Sequence, residues 1–353
     1  MTESVVVLDG VSHPHAEMYL ESLEALDEVR GIVLVDPDQT SVIQTTKAIA
    51  RCADLQSALR RDDVTHVLVA LPNDQTPAAL VQAIHARKAV LTEKPGARSA
   101  AEFQVVLDAL KQHPVPLAIA YLNRFTPPIR QVRELFRAGA IGRLTSVEIR
   151  MVTTQVGMRD PALWLFNRQA AGGGVLAWLA CHWLDALHYV TGDEIVRVQA
   201  ELAATSGEAI DVEDTAAVTF RTAGGAVGSL HAGYLLAVGN PGYRAAGHDI
   251  ALILRGTLGA IYYTGGRSQA PLVLESVAPE WRAATRRTFD FTATPSPGYG
   301  GQAGLDFFRA FLTAGPGHPT PADALDALRV LEVLDAIYAA AASGQAVNVR
   351  RHH

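Results

Sequence analysis

Short runs of hydrophobic residues alternate with amphipathic stretches over the first third of the chain. The hydrophobic runs predict strands at 4–8, 31–35, 66–70, 89–91 and 117–120. The amphipathic stretches predict helices at 15–26, 41–50, 54–59, 77–86 and 100–110. Strands that are hydrophobic on both sides need helices over both faces of a parallel sheet. This part of the chain therefore predicts an α/β fold with a doubly wound sheet.

The pattern changes after about residue 143, where longer segments alternate hydrophobic and polar positions. They predict strands at 144–152, 196–203, 216–221, 226–230 and 250–254, with helices at 175–190 and 322–342. Such alternation is typical of an antiparallel sheet with one covered and one open face. We expect an N-terminal domain at 1–122 and a C-terminal α+β domain at 123–353 with a large, mainly antiparallel open sheet. The final helix is expected to be able to pack back on the first domain.

Composition narrows the class of protein. A length of 353 residues fits two domains, and 49% hydrophobic with 19% charged residues fits a folded chain. A net charge of -6 offers no basic excess for nucleic acid or a membrane surface. No secretory signal and no membrane-spanning run is recognised, so we expect a cytoplasmic protein. Cys52 and Cys181 are too few for a disulfide framework, and no ligand spacing asks for a metal.

The turn after the first strand stands where a dinucleotide-binding fingerprint would read G-x-G-x-x-G. It keeps only the first glycine, Gly10, while Ser12 and His15 occupy the positions of the second and third. Pro14 suits the first turn of the following helix, whose free N–H groups and positive dipole end attract phosphate. We expect Gly10, Ser12, His13, Pro14 and His15 to line a nucleotide site; an ordinary turn between strand and helix is the alternative.

Asp36 ends the second predicted strand, 21 positions after His15. A carboxylate at about this offset accepts hydrogen bonds from the adenosine ribose and repels a 2′-phosphate. No arginine stands next to Asp36 along the chain to bind that phosphate. We therefore expect NAD, with NADP less favoured; a solvated acidic turn is the alternative.

A series of motifs follows the later strands in order. It comprises Leu71-Pro72-Asn73, Thr92-Glu93-Lys94-Pro95, Asn123-Arg124-Phe125, Gly139-Ala140-Ile141-Gly142, Gly172-Gly173-Gly174-Val175-Leu176 with His182 and Asp185, and Glu213-Asp214-Thr215. The series resembles the motifs of the Gfo/Idh/MocA oxidoreductases, the family of glucose-fructose oxidoreductase and inositol dehydrogenase. The resemblance extends over nearly the whole chain.

The resemblance implies an N-terminal Rossmann domain that binds a nicotinamide cofactor. It implies that Leu71, Pro72, Asn73, Glu93 and Lys94 contact that cofactor. It also implies a sugar or polyol substrate, and a homodimer or homotetramer formed through the C-terminal sheet.

The same resemblance implies roles in the chemistry. Lys94 hydrogen-bonds the reacting oxygen, and His182 is the acid/base and contacts the substrate. Asp185, one helical turn from His182, fixes the tautomer of its ring. Asn123 contacts the substrate.

The chain departs from the family pattern at Trp178, which stands where an aspartate is usual. On a regular helix Trp178, His182 and Asp185 share one face, since they are spaced four and three apart. We expect Trp178 to stack on a sugar ring, and Trp164 and Arg168 to reach the substrate from a preceding loop. Core packing for the two tryptophans and a solvated position for Arg168 are the alternatives.

The leading interpretation is an NAD-dependent enzyme that transfers a hydride between nicotinamide and a secondary alcohol or ketone of a sugar, cyclitol or sugar derivative. An alternative is an NAD-dependent glycosidase that acts by transient oxidation and elimination. The other alternative is a noncatalytic, sugar-sensing member of the same fold family.

Overall fold

The computed structural model describes residues 3–37, 43–238, 241–243, 246–266, 271–292, 295–315 and 318–350. The chain divides into two compact units. Unit 1 comprises residues 1–125 and 293–328, and unit 2 comprises residues 126–292 and 329–353. The sequence assigns everything after residue 122 to a second domain, whereas residues 293–328 group with the first unit.

Unit 1 is built on a six-stranded parallel sheet in the order β3-β2-β1-β4-β5-β6. Its strands are β1 (Ser4–Asp9), β2 (Val29–Val35), β3 (Ala48–Cys52), β4 (His66–Val69), β5 (Ala89–Thr92) and β6 (Leu117–Ile119). The connecting helices are α1 (Ala16–Glu24), α2 (Leu55–Leu59), α3 (Thr76–His85) and α4 (Ala100–Gln112). The predicted doubly wound fold is confirmed, because all five predicted strands belong to this parallel sheet and helices connect its strands.

The predicted helix at 41–50 is wrong for its described part. Residues 43–47 are not helical and residues 48–52 form β3, while 41 and 42 lie outside the described residues. This strand lies at the edge of the sheet, and even its Ile49 side chain is 44% exposed. An exposed edge strand lacks the continuous hydrophobic run that marks its buried neighbours.

Unit 2 contains a nine-stranded sheet in the order β14-β13-β12-β11-β7-β10-β9-β8-β15. Its strands are β7 (Leu144–Thr154), β8 (Ile195–Ala203), β9 (Thr215–Thr222), β10 (Val227–Leu236), β11 (His248–Gly256), β12 (Gly259–Gly266), β13 (Leu272–Ser276), β14 (Arg286–Phe289) and β15 (Val347–Asn348). β7 and β10 run parallel, and the other neighbouring pairs are antiparallel. The predicted mainly antiparallel sheet is confirmed.

The helices of unit 2 include α5 (Pro127–Arg137), α6 (Arg168–Ala171) and α7 (Cys181–Thr191). The predicted helix at 175–190 begins as a π-helix over Leu176–Ala180 before it becomes α7. A π-turn holds more residues than an α-turn. The spacing that places Trp178 on the same face as His182 assumes a regular α-helix, so it does not carry over to this segment.

Two helices precede the last strand, α8 (Gly301–Leu312) and α9 (Ala324–Ser343). α8 places Phe307, Phe308 and Phe311 in the hydrophobic core of unit 1 beside residues of β1 and α1. This burial explains why residues 293–328 belong to the first unit. No helix among the described residues is long and hydrophobic enough to cross a membrane.

Candidate active site

The turn from β1 to α1 has the shape that a dinucleotide-binding turn needs at its first position. Gly10 has φ +113°, and a Cβ there would lie 1.9 Å from the carbonyl oxygen of Ala70. Only glycine fits such a close approach between two strands. Pro14 lies just before α1, and Ser12 is exposed at the turn, whereas His13 and His15 are buried. A close turn of this kind and the positive end of the following helix are features that pyrophosphate-binding turns use.

Asp36 follows β2 and is buried, as a ribose-binding carboxylate at this position would be. Its Oδ2 lies 2.5 Å from Nη1 of Arg51. Arg51 is not next to Asp36 along the chain and reaches it from β3, the strand that the sequence pattern did not predict. A second nitrogen of Arg51 donates a hydrogen bond to the carbonyl of Ile43 at 2.8 Å. Asp36 therefore forms half of an ion pair rather than an isolated carboxylate.

The segment Leu71-Pro72-Asn73 follows β4 and leads into α3. The Pro72 carbonyl accepts hydrogen bonds from the backbone of Gln75 at 2.9 Å and of Thr76 at 3.1 Å. Asn73 is 4% exposed, while Leu71 and Pro72 are half-buried. These residues lie after the carboxyl end of a parallel strand, where open α/β sheets bind ligands.

Glu93 and Lys94 follow the neighbouring strand, β5, and are 3% and 1% exposed. One carboxylate oxygen of Glu93, Oε1, lies 2.6 Å from Nδ1 of His15 and accepts a hydrogen bond from the hydroxyl of Tyr19. The other, Oε2, accepts the backbone N–H of Lys94 at 3.0 Å and lies 3.9 Å from its Nζ. The structure thus brings His15, Glu93 and Lys94, all predicted site residues, into one buried cluster.

The charges within this cluster compensate one another. Burial alone would raise the pKa of Glu93, but the positive charges of His15 and Lys94 hold this pKa well below its usual range. Burial lowers the pKa of His13 to about 3, so this ring is neutral at neutral pH. Burial and the nearby Glu93 raise the pKa of Tyr19 well above its usual value. Glu93 is therefore an anion among one neutral histidine, one phenol and two basic groups.

His13, His15 and Glu93 also place three potential metal ligands within 4.8 Å of one another. The facing atoms of His15 and Glu93 are already paired, and the His15 backbone N–H donates to Nδ1 of His13 at 3.1 Å. These contacts favour a hydrogen-bonded network over a metal centre. The network also accounts for the missing third glycine, because the His15 side chain reaches Glu93 from that position.

In unit 2, His182 and Asp185 lie three residues apart on α7. Asp185 is 1% exposed, whereas His182 is partly exposed. The glycine run before this helix has a steric cause. A Cβ on Gly173 would lie 1.8 Å from the hydroxyl of Tyr338, and one on Gly174 would lie 1.9 Å from the carbonyl oxygen of Glu213.

Glu213 caps the π-helical segment that leads into α7. Its Oε1 accepts hydrogen bonds from the backbone of Gly174 at 2.9 Å and of Leu176 at 3.1 Å, and from the hydroxyl of Tyr338 at 3.0 Å. Burial raises the pKa of Glu213, although these hydrogen bonds oppose the shift. In the sequence Glu213 is recognisable only as part of a motif, without a predicted role. Its contacts make it a support of the helix that carries His182.

The predicted substrate residues of unit 2 have different surroundings. Trp178 is 4% exposed, and its ring packs edge-on against Trp164 at 5.8 Å and Tyr243 at 6.1 Å between centroids. Arg168 is exposed, and its backbone N–H donates to a carboxylate oxygen of Asp211 at 2.5 Å. The burial of Trp178 favours the core-packing alternative for this residue. In unit 1, Asn123 is half-buried in the 3-10 turn Leu122–Phe125.

Comparison with protein families matches both parts of the chain. Residues 6–121 match the model described as the oxidoreductase family with an NAD-binding Rossmann fold. Residues 129–269 match the model described as the GFO/IDH/MocA C-terminal domain.

Individual relatives agree with the family models. The levoglucosan dehydrogenase of Pseudarthrobacter phenanthrenivorans is 28% identical over 84% of this chain and 83% of its own length. The inositol 2-dehydrogenase of Rhizobium meliloti is 25% identical over 66% of this chain and 63% of its own. A solved levoglucosan dehydrogenase in complex with NADH and levoglucosan superimposes with a TM-score of 0.84, at 25% identity over 99% of this chain and 100% of that one.

These matches confirm the predicted enzyme class, an oxidoreductase with an NAD-binding Rossmann domain. The motif series, the sheet order of unit 1 and the mixed sheet of unit 2 agree with them. The chain belongs to the Gfo/Idh/MocA oxidoreductase family.

Proposed function

We propose that this enzyme is an NAD-dependent dehydrogenase that oxidises a secondary alcohol of a sugar, cyclitol or sugar derivative, and reduces the ketone in the reverse direction. The observation that carries the proposal is Lys94, a lysine that is 1% exposed at the end of β5 and lies beside the Glu93 carboxylate. A buried ammonium at the carboxyl end of a strand in such a sheet, where ligands bind, is suited to stabilise negative charge on a reacting oxygen. The sugar and cyclitol dehydrogenases among the relatives support the substrate class.

The cofactor would be held by the glycine turn at Gly10, the start of α1 and the carboxylate of Asp36. When bound, NAD supplies the acceptor for the hydride. The Leu71-Pro72-Asn73 segment and Glu93 are proposed as further cofactor contacts. NADP is less favoured, since Asp36 opposes a 2′-phosphate.

Lys94 donates a hydrogen bond to the reacting hydroxyl oxygen and stabilises the alkoxide charge that develops there. His182 accepts the hydroxyl proton, and it returns this proton when a ketone is reduced. Asp185, buried three residues further along α7, orients the His182 ring. Asn123 and Arg168 are proposed substrate contacts, and Trp164 is proposed to reach the substrate beside the more deeply buried Trp178.

A cofactor and substrate screen tests this function. The purified protein is assayed with NAD and with NADP against levoglucosan, inositols, aldoses and sugar acids, and NADH or NADPH formation is followed by absorbance. We expect NAD-dependent oxidation of at least one of these polyols. Cleavage of an aryl glycoside by protein that retains NAD, without accumulation of NADH, would instead favour the glycosidase alternative. If the protein shows neither of these activities with any compound of the panel, the proposal is overturned.

We also propose a cytoplasmic enzyme that assembles as a homodimer or homotetramer through the open face of the nine-stranded sheet. This assembly is what the family resemblance implies. Light scattering coupled to size-exclusion chromatography measures the mass directly. A monomer at micromolar concentration would contradict the proposed assembly and leave the proposed reaction unaffected.

A further inference from the structure

We propose that His15 is a positioning residue for Lys94. Its positive charge neutralises Glu93, and the Lys94 ammonium is therefore directed to the reacting oxygen rather than to that carboxylate. The proposal rests on the function proposed above, because it assigns a device that controls Lys94 in that reaction. The third glycine position of the dinucleotide fingerprint, which His15 occupies, normally requires glycine, so the fingerprint does not explain a histidine there.

The contacts of Glu93 show how its carboxylate is shared. Oε1 faces His15 Nδ1 at 2.6 Å and the Tyr19 hydroxyl, and Oε2 accepts the Lys94 backbone N–H at 3.0 Å. The Lys94 Nζ lies 3.9 Å from Oε2, which is longer than a hydrogen bond. Three other donors therefore occupy the carboxylate, and the ammonium is near it without a direct hydrogen bond to it.

Burial makes this arrangement depend on charge. His15, Glu93 and Lys94 are 6%, 3% and 1% exposed. Away from water, an anion without a second positive neighbour would draw the ammonium into a direct ion pair. Lys94 would then have to break this pair to stabilise an alkoxide. A charged His15 removes this competition.

The other titratable groups around Glu93 cannot replace His15. His13, on the same turn, is neutral because burial lowers its pKa to about 3. Tyr19, on α1, and Tyr299, which stacks on the His15 ring at 4.4 Å, are phenols. Among the groups that these contacts bring to Glu93, His15 and Lys94 are the two that can carry positive charge.

The charge on His15 is measurable without any substrate. Imidazole nitrogen NMR of the wild-type protein is compared with that of His15→Gln and Glu93→Gln. We expect the wild-type spectrum to contain a signal with both ring nitrogens protonated throughout the neutral range, and this signal to be absent in His15→Gln. In Glu93→Gln we expect the His15 ring to be neutral in the same range, because burial then disfavours its charge with no anion to oppose it. A neutral His15 ring in the wild type at neutral pH overturns the proposal, and so does one equivalent of zinc bound at His13, His15 and Glu93.

Kinetics tests the effect on Lys94. Because Lys94 must be charged to stabilise the alkoxide, activity falls at alkaline pH as this group loses its proton. Removing the His15 charge favours the charged form of Lys94, so His15→Gln should move the alkaline limb of the kcat profile upward by about one pH unit. We expect kcat to fall about ten- to a hundredfold, with a smaller change in KM for NAD, because the ammonium is drawn towards Glu93.

Two variants separate charge from packing. Tyr19→Phe removes a neutral donor from the same oxygen and should leave the alkaline limb in place. His66→Gln removes another buried histidine. His66 is the first residue of β4, so it lies at the amino ends of the strands, whereas Glu93 and Lys94 follow the carboxyl end of β5. This variant should change neither kcat nor the alkaline limb of its pH profile. An unmoved limb in His15→Gln, or an equal shift in Tyr19→Phe, overturns the proposal. If wild-type protein oxidises no polyol, the proposed function fails, and the NMR comparison still decides whether His15 carries the charge.

Discussion

The ion pair between Asp36 and Arg51 makes a specific prediction about cofactor choice. Asp36 is proposed to accept hydrogen bonds from the adenosine ribose, while Arg51 Nη1 lies 2.5 Å from its Oδ2. Asp36→Ala removes the ribose acceptor and frees the guanidinium from its carboxylate partner. The released guanidinium is suited to bind a 2′-phosphate.

Both effects act in the same direction. A hydrogen bond to a charged group contributes about 1.5–3 kcal/mol, so losing the ribose contact should weaken NADH binding about 10- to 150-fold. NADPH should lose the repulsion and gain a charge-assisted contact, so its affinity should rise. We expect the preference for NADH over NADPH to disappear or to reverse.

Fluorescence titration of NADH and NADPH on the wild type, Asp36→Ala and the double variant Asp36→Ala/Arg51→Ala checks this reasoning. The double variant should lose the part of the gain in NADPH affinity that comes from the Arg51 contact and keep the part that comes from the lost repulsion. An unchanged ratio in Asp36→Ala would remove Asp36 from the ribose site. An equal gain in NADPH affinity with and without Arg51 would refute the role given to the ion pair.

Three further predictions concern stability. Trp178→Ala should cost about 3–5 kcal/mol of unfolding free energy through the cavity it leaves, with KM unchanged; a raised KM with an unchanged melting temperature would place the ring on the substrate. Asp9→Asn should flatten the pH dependence of stability, because burial raises the pKa of Asp9 to about 6. The stabilising contribution of the protonated carboxyl group, up to about 3 kcal/mol, is lost as the pH rises from about 4 through 6. Denaturant titrations at several pH values measure this dependence, and an unchanged slope would contradict the prediction. Glu213→Ala should cost about 1–3 kcal/mol because it leaves buried donors without their acceptor, whereas Tyr338→Phe removes one donor and should cost less; equal melting temperatures for the wild type and Glu213→Ala would exclude the capping role.

The sheet of unit 1 is largely predictable from the sequence, because five of its strands are hydrophobic runs between amphipathic helices. β3 is the exception, since its edge position leaves it without such a run. That omission also hides the Asp36–Arg51 pair, whose partners lie 15 residues apart in the chain. Pairings of this kind depend on strand order, which no local pattern encodes.

The candidate site is predictable only in part for the same reason. Gly10, Glu93 and Lys94 are recognisable because they belong to local motifs at strand ends. The contact of His15 with Glu93 spans 78 residues, and Glu213 reaches the glycine run from 39 residues away. The π-turn at Leu176–Ala180 is likewise invisible to a pattern that assumes α-helical spacing.

Lys94 is proposed to stabilise the oxygen that reacts during NAD-dependent oxidation of a polyol, and its replacement tests the proposed reaction most directly. Lys94→Met keeps a side chain of similar length and removes the charge. Lys88→Met is the matched control, since Lys88 donates to the Val64 carbonyl at 2.7 Å and has no proposed role in the reaction. With the preferred polyol of the wild type and NAD, we expect NADH formation by Lys94→Met to fall about 100- to 1,000-fold, with NADH binding and melting temperature retained, and Lys88→Met to remain active. A folded Lys94→Met protein that forms NADH at the wild-type rate would contradict the account.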